Sequence, residues 1–282
     1  MKLSHYKTIF KAALAPVYSD AQEVESFFLL IAEKWHNLKR VDLALEPNFE
    51  IPPLYIEKWQ QITEALKTQK PIQYLLGSTW FYGLEFLVTP HTLIPRPETE
   101  ELVELILKEQ STFVSPKILD IGTGSGCIAI SLAKNKPAAK VSAIDFSEDA
   151  LLTAKENAVL NKVDLSFVLQ DILQTNALET FDIIVSNPPY VRDLEKAEIQ
   201  KNVLDFEPHS ALFVPNDNAL LFYKKIAELA IKALSPKGFL YFEINQYLGS
   251  ETKEMVEQIG FKNVKIIKDV YGNNRMLSAV KN

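Results

Sequence analysis

At 282 residues the chain is long enough for one large domain and a small one, because single hydrophobic cores stop growing at about 250 to 300 residues. With 47% hydrophobic and 23% charged residues it has the make-up of a globular protein, which argues against a disordered or fibrous chain. The net charge of -6 argues against a protein that gains its affinity by neutralising many phosphates of a long duplex. The one cysteine, Cys127, has no partner for an internal disulfide, and the histidines stand outside any Cys/His cluster, so a reducing compartment and no metal are expected. Lys2, Lys7 and Lys11 interrupt the amino-terminal segment, which therefore lacks the apolar core of a signal peptide. No run approaches the roughly 18 apolar residues of a membrane span. The expectation is a cytoplasmic protein that does not engage a membrane.

In chain order, Ser19-Asp20 offers an N-cap ahead of Val24, Phe27, Phe28, Ile31 and Trp35, an apolar stripe at helical spacing. Pro52-Pro53 punctuates the pattern, and a second helix is predicted over Leu54–Thr68. Residues 1–76 thus read as a small helical domain whose aromatics build a core. The run Thr79–Val88, aromatic and branched around Gly83, predicts a β-hairpin, with 77–94 as a linker. Pro97 with Glu98 and Glu100 marks the first turn of a helix to about Lys108.

Residues 95–282 form the remaining domain. Strand and helix patterns alternate: strand Lys117–Ile121, helix Cys127–Lys134, strand Lys140–Asp145, helix Glu148–Asn161, strands Leu165–Leu169 and Phe181–Ser186. After these come a helix near Ala219–Leu234, a strand Gly238–Ile244, a helix near Ser250–Ile259, and strands Val264–Ile267 and Met276–Val280. Alternation of this kind predicts an α/β fold, a parallel sheet wrapped by helices.

Three segments carry chemistry. Leu119-Asp120-Ile121-Gly122-Thr123-Gly124-Ser125-Gly126 leaves a strand and enters a helix. Its glycines permit a tight turn and close approach of backbone to a ligand. The spacing Gly-x-Gly-x-Gly is one residue shorter than the dinucleotide fingerprint, and a pyrophosphate is what the longer loop and helix end serve. The shorter loop favours S-adenosylmethionine, which has no phosphate.

Asp145 ends the next strand, where doubly wound folds place a carboxylate that accepts from ribose hydroxyls; the alternative is an Asp that caps the helix after it. Asp171, with Ile172 beside it, either accepts from the adenine amine or caps a turn.

Asn187-Pro188-Pro189-Tyr190 follows the apolar strand Asp182-Ile183-Ile184-Val185, at the sheet end where open α/β folds bind ligands. Two prolines lack N–H groups and fix φ, so the backbone offers carbonyl acceptors in a rigid arrangement. A planar NH2 group is their complement. Its N–H groups would donate to the Asn187 side-chain oxygen and the Pro188 carbonyl, and Tyr190 would stack on the planar group. Asn187, Pro188 and Tyr190 are the expected catalytic residues, with Pro189 in the same acceptor pocket. Weaker candidates are His209 in Glu207-Pro208-His209-Ser210-Ala211-Leu212, read as a loop residue rather than a general base, Arg275, read as one half of a surface ion pair rather than the holder of a substrate carbonyl, and Cys127, read as packing although it opens a helix.

Taken together the segments resemble the peptide chain release factor glutamine methyltransferases, the HemK/PrmC family. The resemblance runs through Pro71-Ile72-Gln73-Tyr74-Leu75-Leu76-Gly77, Phe81-Tyr82-Gly83 to Phe86, Leu93-Ile94-Pro95-Arg96-Pro97-Glu98-Thr99-Glu100, Asp120–Gly126, Asn187–Tyr190, and Glu207-Pro208 with Ala211-Leu212. It implies a class I methyltransferase, a Rossmann-like fold with a seven-stranded, mostly parallel sheet behind a helical domain that helps recognise the release factor. It also implies that S-adenosylmethionine lies against Gly122, Thr123, Gly124, Ser125, Gly126, Asp145, Asp171, Ile172 and Asn187. The acceptor it implies is the glutamine of the Gly-Gly-Gln tripeptide of class I bacterial-type release factors, held by Asn187–Tyr190. A monomer is expected. Two other readings use the same residues: a DNA methyltransferase acting on the exocyclic amine of adenine, which would have to flip its base, and a cofactor-binding adaptor without catalysis.

Overall fold

A computed structural model describes all residues, 1–282, and the chain divides into two compact units, Met1–Gly77 with Gln200–Phe206, and Ser78–Ile199 with Glu207–Asn282. The first unit is helical: α1 (Leu3–Leu14), α2 (Ala21–His36), α3 (Arg40–Leu45), α4 (Pro53–Lys67) and α5 (Ile72–Leu76). Asp20 caps α2 by accepting from the Gln22 amide at 2.7 Å, and Asn37 ends it in the left-handed conformation, φ 55°. Pro53 opens α4 at a position where its missing N–H costs nothing.

The α2 stripe divides by depth. Val24, Phe28 and Ile31 are buried, while Phe27 and Trp35 pack half-buried around them. At the centre lies Trp59, fully buried, with ring contacts to Tyr6, Phe10, Phe28, Trp35 and His36.

The second unit begins with a hairpin, β1 (Ser78–Phe81) and β2 (Leu84–Leu87), whose two-residue turn puts Tyr82 and Gly83 at φ 49° and 73°. Positive φ at both central residues is the turn that matches strand twist. The segment expected as a linker is part of this unit: Phe81 and Phe86 are buried in its core. A hairpin with one apolar face must bury it on something, and here it does so on the sheet's own helices.

The remaining elements are α6 (Pro97–Glu109), β3 (Lys117–Ile121), α7 (Cys127–Asn135), β4 (Lys140–Asp145), α8 (Glu148–Asn161), β5 (Ser166–Leu169), β6 (Phe181–Ser186) and β7 (Val191–Arg192). They continue with α9 (Lys201–Phe206, grouped with the first unit), β8 (Phe213–Val214), α10 (Leu221–Ala233), β9 (Leu234–Glu243), α11 (Gly249–Ile259), β10 (Lys262–Lys268) and β11 (Asn274–Val280). Seven strands form one sheet in the order β10-β11-β9-β6-β3-β4-β5, with the β7-β8 pair separate. β11 runs antiparallel to both neighbours, and the pairings among β9, β6, β3, β4 and β5 are parallel. This is a class I methyltransferase fold.

One core holds α6, α7 and the hairpin against the sheet; a second holds α10 and α11 against it. From β3 the chain steps to β4 and β5 on one side, and β6 and β9 lie on the other, so strand order reverses between β3 and β6. At that switch point the loops after β3 and β6 diverge and leave a crevice. The strand β9 starts at Leu234, earlier than Gly238, because Phe181 of β6 pairs with Leu234 ahead of a register shift. No helix is long and apolar enough to cross a membrane.

Candidate functional site

The crevice is a cavity of about 370 Å³, within the size range of small-molecule sites, and all its lining residues belong to the second unit. The loop after β3 forms one wall. Gly122, Gly124 and Gly126 all have positive φ, at 72°, 55° and 82°. A Cβ on Gly122 or Gly124 would meet nothing within 4 Å, so these two are required for the turn itself. Gly126 is required for packing as well, since a Cβ there would lie 2.9 Å from Ile130 Cδ1 and 3.2 Å from Ala154 Cβ.

Buried side chains hold this loop from behind. The Thr123 hydroxyl donates to Asp120 Oδ2 at 2.6 Å, and burial pushes the Asp120 carboxyl up to about 7. Its Oδ1 is buried without a hydrogen-bond partner. Asn157 on α8 is a clamp: its amide donates to the Ser125 and Leu87 carbonyls, each at 2.9 Å, and its oxygen accepts from the Leu87 amide at 2.6 Å. The hairpin thereby fixes the glycine loop.

Asp145 stands at the end of β4, its Oδ2 accepting from Gly124 N at 2.8 Å and its Oδ1 from Ser147 N at 2.9 Å. The cap of α8 is Ser147, whose hydroxyl accepts from Ala150 N, so Asp145 braces the loop rather than capping the helix. Burial raises its pKa, against the backbone donors. Asp171 is exposed and accepts from Leu173 N at 2.8 Å as a turn cap, with Ile172 buried next to it.

The opposite wall is Ser186, Asn187, Pro188 and Pro189. The Ser186 hydroxyl donates to the Ile121 carbonyl at 2.6 Å, which ties the ends of β6 and β3 together. Asn187 Nδ2 donates to Thr99 Oγ1 at 3.3 Å, the Thr99 hydroxyl donates to Glu243 Oε2 at 2.6 Å, and the Tyr190 hydroxyl donates to Glu243 Oε1 at 3.0 Å. Glu243 and Thr99 are buried at 1% and 3% exposure. Burial raises the Glu243 pKa, while the two hydroxyl donors and the Arg275 charge act the other way.

Of the residues expected at the site, Gly122, Thr123, Gly124, Ser125, Asp145, Asp171, Ile172, Asn187, Pro188 and Pro189 line the cavity. Gly126 and Tyr190 do not. Tyr190 packs on the core of the sheet unit, and its backbone is pinned between the Leu212 carbonyl and the Asn245 side chain.

Arg275 is not a surface residue. Its side chain is 15% exposed and donates from Nε to Asp269 Oδ2 at 3.2 Å, a carboxylate with no exposed side-chain surface. β11 lies between β10 and β9, and the guanidinium at its start is largely enclosed. Glu207 is also structural: it takes Arg96 Nη2 on Oε1 at 2.5 Å and Ile94 N on Oε2 at 3.2 Å, which fixes the loop before α6. The Cys127 thiol faces the cavity wall with its pKa pushed up to about 12 by burial, so it is no nucleophile.

Thr99, Glu243, Asn157 and Phe146 were not singled out by sequence. Thr99 sits in a motif that reads as a helix start, and nothing in the spacing ties it to Glu243 far along the chain. Phe146, exposed beside Asp145 on the cavity rim, carried a signal in being apolar at a strand end.

A methyltransferase small domain model matches residues 98–207, and a PrmC N-terminal domain model matches 10–77. The release factor glutamine methyltransferase of Flavobacterium psychrophilum is 59% identical over 98% of each chain, and that of Bacteroides thetaiotaomicron is 44% identical over 92% of this chain and 93% of its own. Among solved structures, a methyltransferase from Pyrococcus furiosus superposes with a TM-score of 0.53 at 23% identity, over 72% of this chain and 91% of its own. The 16S rRNA N2 G1207 methyltransferase of T. thermophilus, solved with AdoMet and guanosine, gives 0.52 at 20% identity, over 73% and 50%. Its low identity speaks for the fold alone. The near full-length relatives decide the question: the chain belongs to the release factor glutamine methyltransferase family.

Proposed function

We propose that this protein transfers a methyl group from S-adenosylmethionine to the side-chain amide nitrogen of the glutamine in the Gly-Gly-Gln motif of a class I peptide chain release factor. The substrate rests on the relatives' name; the chemistry rests on Asn187 and Pro188 facing the glycine loop across one cavity.

The residues present fit the cofactor. The glycine loop lets backbone approach closely, Asp145 brings a carboxylate to the wall for ribose hydroxyls, and Ile172 with Phe146 gives apolar surface for adenine. The guanidinium on the wall, Arg96, is paired with Glu207, which suits a ligand without phosphate. When bound, the cofactor supplies an electrophilic methyl group on a sulfonium.

An amide nitrogen is a poor nucleophile because its lone pair is delocalised into the carbonyl. Acceptance of its N–H bonds by Asn187 Oδ1 and the Pro188 carbonyl orients the nitrogen and favours the pyramidal, nucleophilic form. Held in this way, the amide nitrogen would be in line to take the methyl group and would then give up its proton to solvent. Because the sulfonium charge disappears during transfer, the largely apolar cavity does not oppose the step. Tyr190 serves this loop by anchoring it to Glu243. Residues 1–76 are assigned to recognition of the release factor, residues 95–282 to catalysis, and the protein acts in the cytoplasm as a monomer.

The test is transfer of labelled methyl to purified unmethylated release factor. Asn187→Ala lowers turnover on the order of 100- to 1,000-fold, and replacement of the acceptor glutamine abolishes labelling. Labelling that ignores either change would defeat the assignment.

A further inference from the structure

The Asn187 side chain can offer the cavity either its oxygen or its NH2, and only the oxygen complements an amide NH2. Nothing in an Asn-Pro-Pro-Tyr turn decides between the two faces. The wall behind it does. Asn187 Oδ1 makes no hydrogen bond within the protein, while Nδ2 donates to Thr99 Oγ1 at 3.3 Å. Thr99 has one proton, and it goes to Glu243 Oε2 at 2.6 Å. What remains at Thr99 toward Asn187 is a lone pair, which accepts Nδ2 and would repel Oδ1. The second Glu243 oxygen is taken by the Tyr190 hydroxyl at 3.0 Å, so both carboxylate oxygens act as acceptors, and the direction of the chain of bonds is fixed.

We propose that Glu243 is a positioning residue which, through the Thr99 hydroxyl, sets the Asn187 amide with its oxygen toward the acceptor and its NH2 toward the wall. A buried carboxylate held by neutral hydroxyls, with no direct arginine partner, is costly to keep. Its place here follows from what a neutral side chain would lack. A glutamine at 243 would present one donor and one acceptor, so Thr99 could receive a proton, turn its own toward Asn187 and flip that amide. The same carboxylate holds Tyr190, so it controls both ends of the acceptor motif.

This inference rests on the reading that Asn187 Oδ1 accepts from the substrate amide, and the experiment separates the two. Methyl transfer to unmethylated release factor is measured with Thr99→Val, Thr99→Ser, Glu243→Gln, Asn187→Ala and the Thr99→Val/Asn187→Ala pair. Cofactor Kd by calorimetry and Tm are recorded for each. Thr99→Val lowers kcat on the order of 100-fold, with the release-factor KM and the cofactor Kd unchanged, and Thr99→Ser restores turnover. The double variant is no slower than Asn187→Ala, because an unoriented Asn187 and a missing one fail at the same step.

Should Thr99→Val unfold, Glu243→Gln, which keeps the side-chain volume, carries the same expectation. Wild-type turnover in Thr99→Val or Glu243→Gln, or losses that multiply in full in the double variant, would overturn the positioning role while leaving Asn187 in place. Wild-type turnover in Asn187→Ala would overturn the reading itself, and this inference with it.

Discussion

The two units solve burial in opposite ways. In the helical unit the centre is an aromatic stack around Trp59, and its buried polar contacts are small and neutral: the Tyr6 hydroxyl meets Thr63 at 3.0 Å, and Thr63 donates to the Trp59 carbonyl at 2.6 Å. In the sheet unit Asp120, Asp145, Glu195, Glu207, Glu243 and Asp269 are all buried. These carboxylates divide again. Glu195, Glu207 and Asp269 each pair with an arginine. Burial alone would raise Glu195 and Asp269, yet hydrogen bonds from Arg192, and from Asn273 and Arg275, hold both below the ordinary value.

Asp120, Asp145 and Glu243, whose partners line the cavity, are held by hydroxyls and backbone N–H groups without an arginine bond, and burial wins in all three. Arginines therefore hold one set of buried carboxylates, and neutral donors hold the other.

The comparison can be broken first at its two centres. Trp59→Ala should cost about 3–5 kcal/mol in the helical unit, seen by denaturant unfolding of the full chain, whereas Asn187→Ala should leave unfolding unchanged and lower turnover on the order of 100- to 1,000-fold. Equal stability losses would mean that the site is also a structural keystone.

The next effect is a pH slope. Asp120 moves from 3.8 to about 7 on folding, so its contribution is fully present below pH 3.8 and is lost as pH rises through 7, on the order of a few kcal/mol in all. Unfolding free energies of wild type and Asp120→Asn, taken from pH 4 to 8, should diverge in that direction, the wild type losing ground as pH rises. Parallel curves would mean that Asp120 is already ionised in the folded state.

The smallest effect has the opposite sign. Burial lowers the pKa of His36 from 6.5, and its Nε2 accepts from Trp59 Nε1 at 3.0 Å. Its contribution is present above pH 6.5 and is lost as pH falls through the lowered folded value. Tryptophan fluorescence should report an acid-weakened helical unit, and His36→Gln should lessen that weakening.

Much of this was legible in the sequence, for a physical reason. β3, β4, β6 and α7 lie next to Gly, Asp or Pro and α8 is capped by Ser147, so sequence pattern finds all five within a residue or two. β7 and β8 are two residues each and exist only because Val191–Arg192 and Phe213–Val214 find one another; no local pattern encodes such a pair. The site divides in the same way. Gly122, Asp145 and Asn187 stand at strand ends, where position alone marks them. Thr99, Glu243 and Asn157 act through partners 88, 144 and 70 residues away, and single-sequence patterns carry no information at that range. Tyr190 was legible as a motif residue, but its hydroxyl bond to Glu243, 53 residues away, was not.

The bond from Thr99 to Glu243 also fixes an order of events. The chain is made from its amino terminus, and domains form as their parts emerge. When Asn157 has left the ribosome, the emerged segment already holds Asp120, Gly124, Asp145, the β3–β4 pairing and the Asn157 clamp of the glycine loop. The acceptor side has none of that independence: Asn187 stays unoriented until Glu243, at the end of β9, is in place. A nascent chain therefore completes the glycine-loop wall of the cavity before the Asn187 wall, so that a chain truncated before β9 retains the elements of the first and lacks the Glu243 anchor of the second.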